Sequence, residues 1–181
     1  MKILFVSRNE HKIREAVALC QRRGIEIEAY TTKLEELQTD DSERLVKDKL
    51  LRAFTQVKRP LIVEHTGLKI DDFAGLPAGL TQLFWDKLRA PGFCSYFPNH
   101  AVTAFTLIGY CDGRQTHQFF GTIRGRIVAA LRGNSNFQWD TVFEPDGHAK
   151  TFAEMTPDQK NAISMRAIAF EKFIDHVAPR H

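Results

Sequence analysis

The chain has 181 residues, 43% of them apolar and 26% charged, with a net charge of +3. That is one domain's worth of chain, able to bury a core without disulfides or structural metal, and its composition excludes wholesale disorder. No run approaches the roughly 18 apolar residues of a membrane span, and Met1-Lys2-Ile3-Leu4-Phe5-Val6 is too short for a signal-peptide core, so a soluble, cytoplasmic protein is expected.

Lys2 to Val6 is β-prone and ends in the turn Ser7-Arg8-Asn9. Glu10 to Arg23 predicts a helix, with Ile13, Ala16, Val17 and Cys20 at i, i+3, i+4 and i+7 and Gly24 as its stop. Ile25 to Tyr30 alternates as a half-buried strand. This βαβ-type opening places the turn at residues 7–10 outside a strand's carboxyl end, where open α/β sheets gather ligands. Free helix N–H groups there favour an anion, and Lys12 adds a charge for phosphate, although the glycines of a Walker loop are missing.

Residues 31–41 are polar and acidic. Glu35, Glu36, Asp40 and Asp41 are either oxygen donors for Mg²⁺ or a solvated loop. Ser42 is expected to cap a second helix running to Val57, stopped by Pro60. Leu61-Ile62-Val63 predicts a buried strand ending at Glu64-His65-Thr66-Gly67, where a carboxylate and an imidazole either act on water or a metal or serve the fold. Leu80 to Leu88 predicts a short helix, and Pro91 to Pro98 an irregular segment. Ala101 to Tyr110 and Gln115 to Ala130 predict a hairpin about Cys111-Asp112-Gly113, forming a small lobe beside the first sheet. Asn134 to Gly147 reads as loop, with Phe137, Trp139 and Asp140 suiting a nucleobase or a satellite core. Thr156-Pro157-Asp158 opens a last helix to about Val177. Within it, Lys160 and Ser164 share a face and Arg166 points well around the axis.

The small basic surplus is not gathered into a stripe, and most of the 14 Phe lie in apolar runs, so no stable nucleic-acid binding is expected. Cys20, Cys94 and Cys111 are odd in number and widely spaced, which fits buried thiols better than a zinc site or disulfide framework.

In order along the chain, Ser7-Arg8-Asn9-Glu10-His11-Lys12, Glu64-His65-Thr66-Gly67-Leu68, Gly75-Leu76-Pro77-Ala78-Gly79, Phe137-Gln138-Trp139-Asp140 and the run from Lys150 through Arg166 resemble the motifs of the inosine triphosphate pyrophosphatase family. The resemblance covers residues 2 to about 177. It implies a single α/β domain over residues 1–181, an elongated mixed sheet flanked by helices with a second, smaller lobe and a cleft between. It also implies a homodimer that hydrolyses a non-standard purine nucleoside triphosphate to monophosphate and pyrophosphate with Mg²⁺, or with Mn²⁺ or another divalent metal. Carried over by residue, Asn9, Lys12 and Arg52 would hold the phosphates, Arg52 standing where a lysine is usual, and Ser7, Thr66 and Gly67 would also bind the substrate. Phe137 and Trp139 would stack on the base, with Asp140, Lys160 and Arg166 nearby, and Ser164 would also bind the substrate. Glu36, Glu64 and His65 would hold the metal, with Asp40 and Asp41 as alternatives to Glu36, and His65, Glu64 and Lys12 would be catalytic.

Three departures stand out. His65 replaces an Asp, so Glu64 and Glu36 carry the metal, His65 acts as the base, a softer metal is used, or a nucleotide-binding sensor with little hydrolysis is left. Met165 replaces a His that reads the purine edge, which implies altered base choice. Arg8 and Gln138 replace glycines and crowd the phosphate turn and the base loop.

Overall fold

The computed structural model describes residues 2–134 and 138–178. Strands β1 (Lys2–Val6), β2 (Glu26–Tyr30), β3 (Leu61–Ile70), β4 (Ala101–Cys111), β5 (Thr116–Ile127) and β6 (Phe143–Pro145) form one sheet in the order β2-β1-β3-β4-β5-β6. The first three strands are parallel and the rest antiparallel. Helices α1 (Glu10–Gln21) and α5 (Met165–Val177) cover one face, where Phe5, Ala16, Cys20, Ile62, Phe170 and Phe173 form a core. Helix α2 (Ser42–Val57) covers the other face through Leu45, Val46, Leu50 and Ala53. A third core, at the far end, joins α3 (Thr81–Tyr96) to Leu68, Trp139, Phe143 and Phe152. Pro157–Ile163 forms the short α4.

Five expectations change. The hairpin β4–β5 belongs to the same sheet, because β4 pairs with β3 over its whole length from Leu61 to Ile70. For the same reason β3 does not end at Gly67: Leu68 and Ile70 continue the apolar alternation into the far core. Pro91 does not end helical structure. The kink falls at Arg89, which has φ 54° and ψ −176°, and Pro91 opens the second half of α3 where a missing N–H costs little. The last helix breaks at Ser164, whose side chain accepts from the Ala167 N–H and starts α5 afresh. Cap and helix start also separate at α2, where Asp41 rather than Ser42 accepts from the Arg44 N–H.

Candidate active site

The cleft arises from unequal strand lengths. β1 pairs with β3 only at Leu4–Leu61 and Phe5–Ile62, then stops at Val6 while β3 runs on to Ile70. Beyond Ile62 the β3 edge therefore lacks a strand partner on that side, and Lys49 of α2 takes the place of one by donating its Nζ to the Glu64 carbonyl at 3.2 Å. The resulting cavity of about 750 Å³ is lined by the β1–α1 turn (Ser7, Arg8, Asn9, Lys12), by Lys33, Glu35 and Glu36, and by Lys49 and Glu64. Gln82, Asp86 and Gln138 line it further out, and Gln138 hydrogen-bonds Gln82.

Period-two geometry sends Glu64 and His65 to opposite faces of the sheet. Glu64 is 3% exposed and faces α1 and α5. Its carboxylate meets Arg166 Nη2 at 3.0 Å, Lys12 Nζ at 3.2 Å and the Thr66 hydroxyl at 2.6 Å. Burial alone would raise its pKa, but Arg166 and Lys12 outweigh that and hold it far below the ordinary carboxylate range. Burial also pushes the Lys12 ammonium below the usual lysine value, with Arg166 and Lys49 adding to the effect and Glu64 opposing it.

His65 is 5% exposed, with its ring beside Phe105. One ring nitrogen is served by the Ala78 backbone, while Nε2 is buried without a hydrogen-bond partner. Burial, reinforced by Lys12 and Lys49, pushes its pKa down to about 4, so at neutral pH it is an uncharged acceptor. Space behind it is closed: a Cβ on Gly67 would lie 2.6 Å from the Thr81 hydroxyl and 2.7 Å from the Ala78 carbonyl. Glu36 approaches from the other side, ion-paired through Oε1 with Lys49. Burial would raise its pKa, and Lys49, with smaller contributions from His65 and Lys12, brings it below the ordinary value.

A buried chain of charges leads away from Glu64. Arg166, 1% exposed, also pairs with Glu15, Glu15 lies 3.8 Å from Lys160, and Lys160 donates to Asp140 at 2.7 Å. Burial opposes the Arg166 charge, and Glu64 and Glu15 still raise its pKa above the usual arginine value. The chain ends at a smaller hollow of about 190 Å³ lined by His11, Glu15, Asp140, Phe152, Lys160 and Asn161.

Of the residues expected at the site, Ser7, Asn9, Lys12, Glu36 and Glu64 line the large cleft. Asn9 also caps α1, accepting from the Lys12 N–H. Thr66 and Gly67 stand behind Glu64 and His65, Thr66 linking Glu64 to Thr106. Asp40 and Asp41 turn to structural work: the Asp40 carbonyl accepts from Gly79 and Asp41 caps α2. Arg52 does not line the cleft; it is paired with Asp48 over an adjoining surface hollow that shares Lys33, Leu34 and Glu35 with it. Trp139 is fully buried, edge-on to Phe143 in the far core, so it offers no stacking face to the cleft. Met165 is buried in the same core, Ser164 caps α5, and Phe137 lies outside the described residues. Arg166 returns to Glu64 because the helix breaks at Ser164, so a single helical wheel does not describe it.

Lys49 was the residue missed in the sequence. It sits four after Leu45, three after Val46 and four before Ala53, on the buried stripe of α2, and that spacing was the available signal.

Residues 3–176 match the Ham1 family. The chain is 37% identical to the inosine triphosphate pyrophosphatase of Yarrowia lipolytica, over 95% of this chain and 93% of that one. It is 33% identical to the dITP/XTP pyrophosphatase of Methanopyrus kandleri, over 97% and 95% respectively. Its fold resembles that of a HAM1 protein from Coxiella burnetii, with a TM-score of 0.82 and 21% identity over 98% of each chain.

Proposed function

The chain belongs to the Ham1 family, and from that premise we propose that its cleft hydrolyses a non-standard purine nucleoside triphosphate such as ITP, dITP or XTP to the monophosphate and pyrophosphate. The observation that carries this is 37% identity to an inosine triphosphate pyrophosphatase across 95% of the chain. The geometry agrees with the demands of the reaction. The cleft offers helix N–H groups, Lys12 and Lys49 to phosphates, and the charge chain from Glu64 to Asp140 leads to a hollow where a base can lie beside Lys160, Asp140 and Asn161.

Mg²⁺ is held by one or two carboxylates together with substrate phosphates. Glu36 fits that need, because Oε1 meets Lys49 and no hydrogen bond reaches Oε2 among the described residues. Glu64 spends its oxygens on Arg166, Lys12 and Thr66 and would join the metal only by giving one of them up. When bound, Mg²⁺ offsets charge on the phosphate oxygens.

The remaining work falls to this chain's own side chains. Neutral His65, fixed at one nitrogen by Ala78, lies behind the lining of the cleft with Nε2 buried and unpartnered, and serves as the acceptor for a proton of the attacking water once that nitrogen is opened to the cleft. The water oxygen bonds to the α-phosphorus, the bond from that phosphorus to the bridging oxygen breaks, and pyrophosphate leaves with the electron pair. Lys12 and Lys49 stabilise the charge that builds on the phosphate oxygens. The assignment extends to assembly as a homodimer and a cytoplasmic setting. Supporting the latter, Cys20, Cys94 and Cys111 are free and buried.

A screen of ITP, dITP, XTP and the common triphosphates with Mg²⁺ or Mn²⁺ tests this reading. Pyrophosphate release from a non-standard purine is expected, and none from any substrate with either metal overturns it. One observation favours a second reading, binding without hydrolysis: an imidazole stands where an Asp resembling the family's would stand. Calorimetric binding of ITP without turnover, with activity appearing in His65→Asp, selects that second reading.

A further inference from the structure

The cations that line the large cleft fall into two classes. Lys12 is held by Glu64 at 3.2 Å and Lys49 by Glu36, so each must loosen a carboxylate to take a phosphate. Arg8 and Lys33 line the same cavity, are exposed, and have no hydrogen bond or ion pair with any described residue. Their placement follows from the sheet. Val6 and Tyr30 are register partners at the parallel ends of β1 and β2, and the Ser7 N–H donates to the Tyr30 carbonyl. Arg8 lies two residues beyond one strand end and Lys33 three beyond the other, so both project from adjacent ends at the β2 side of the cleft.

The buried charges give the cleft a direction. From the hollow at Asp140 and Lys160 the chain runs through Glu15 and Arg166 to Glu64 and Lys12, and then to Glu36 and Lys49. A nucleotide with its base in the hollow and its α-phosphate beside His65 and Lys12 extends its remaining phosphates toward the β2 side. Arg8, Lys12, Lys33 and Lys49 face Glu35, Glu36, Glu64 and Asp86, so the two unpaired cations are the ones left to meet new negative charge.

We propose that Arg8 and Lys33 bind the terminal phosphate, the end that departs as pyrophosphate, and so make the enzyme prefer a nucleoside triphosphate over the diphosphate. This rests on the hydrolytic reading above and adds the residues that set the length of the phosphate tail. Arg8 supplies a planar fork able to hold two phosphate oxygens, and Lys33 a mobile point charge. Neither is needed for the fold, since both are exposed and unpartnered among the described residues.

The test compares wild type, Arg8→Ala, Lys33→Ala and the double variant on ITP and IDP with Mg²⁺, alongside inhibition by inorganic pyrophosphate. Each single change is expected to raise KM for ITP about tenfold, the scale of one charge-assisted contact, with kcat within about twofold. Hydrolysis of IDP should stay unchanged, so the preference for ITP collapses, while the inhibition constant for pyrophosphate rises in step. Arg8→Lys should recover part of the loss. Equal losses on ITP and IDP, or no change on ITP, overturn the proposal. If no substrate is hydrolysed at all, the hydrolytic reading fails by itself. Calorimetry of inorganic pyrophosphate then decides the anchor, which requires weaker binding in the double variant and is refuted by equal binding.

Discussion

Glu64 and Glu144 are both buried glutamates gripped by two cations, yet they do different work. Glu144, 5% exposed, is held by Arg126 and Arg132, whose side chains are 56% and 38% exposed, Arg132 also reaching the Ala149 carbonyl and Glu154. It ties β5 to β6 and to the segment that follows β5. Glu64 is held by Arg166, which is itself buried, and by Lys12, whose side chain is 15% exposed and opens onto a cavity. The difference lies in the partners. Half-exposed arginines keep their hydration and contribute structure. Buried cations have given theirs up and gain from an anion that enters the cleft.

Glu64→Gln gives the largest contrast. It leaves Lys12 and Arg166 buried beside a neutral amide, and breaking such a pair costs about 3 kcal/mol, a melting-temperature loss of roughly 6–12 °C for a chain of this size. Because Lys12 is then misplaced, kcat/KM is expected to fall by about 10³ or more. The matching Glu144→Gln should leave kcat/KM within about twofold while lowering thermal stability. Turnover assays and thermal melts on the same two preparations check both. Equal activity losses in the two variants would erase the distinction.

A smaller contrast lies on α2 alone. Lys49→Met removes the cation between Glu36 and the Glu64 carbonyl, and kcat/KM should drop about 10²-fold, as expected when a charged group that stabilises the reacting phosphates is removed. Arg52→Met removes an exposed pair with Asp48 and should stay within about twofold. Steady-state kinetics on the two variants separate the positions, and a large loss in Arg52→Met would move the phosphate site to the outer hollow.

Those two residues also mark how far the sequence was legible. Short-range signals sufficed for β1, α1 and β2, and for Asn9 and Lys12, because one strand end followed by one helix start fixes where the turn points. Glu64 was legible because it continues a buried apolar strand. Lys49 was overlooked in favour of Arg52, since the aperiodic run 31–41 offers no register and only the buried stripe Leu45, Val46, Leu50 and Ala53 tells which side of α2 faces the cleft. Trp139 misled for a different reason. An aromatic in a loop-like stretch is consistent with stacking on a base, and only the packing of Phe143 around it shows a core residue. The length of β3 and the break at Ser164 depend on tertiary pairing and on a capping bond, neither of which periodicity contains.

The smallest expected effect concerns pH, and it falls on the structural glutamate. Burial would raise the Glu144 pKa, but hydrogen bonds and charge from Arg132 and Arg126 bring it below the ordinary carboxylate value. A carboxylate whose folded pKa is depressed contributes stability that is fully present above its unfolded pKa and is lost as pH falls through the folded one. With both arginines partly hydrated, the contribution is about 1–2 kcal/mol, or roughly 2–8 °C in melting temperature. The gap between wild type and Glu144→Gln should therefore be constant from pH 8 to 6 and narrow as pH falls below the ordinary carboxylate value of about 4.3 and on through the lower folded one. Thermal melts of both proteins across that range measure the gap directly. A gap that persists unchanged into acid would mean that side-chain packing, and not the carboxylate charge, holds β6 to the sheet.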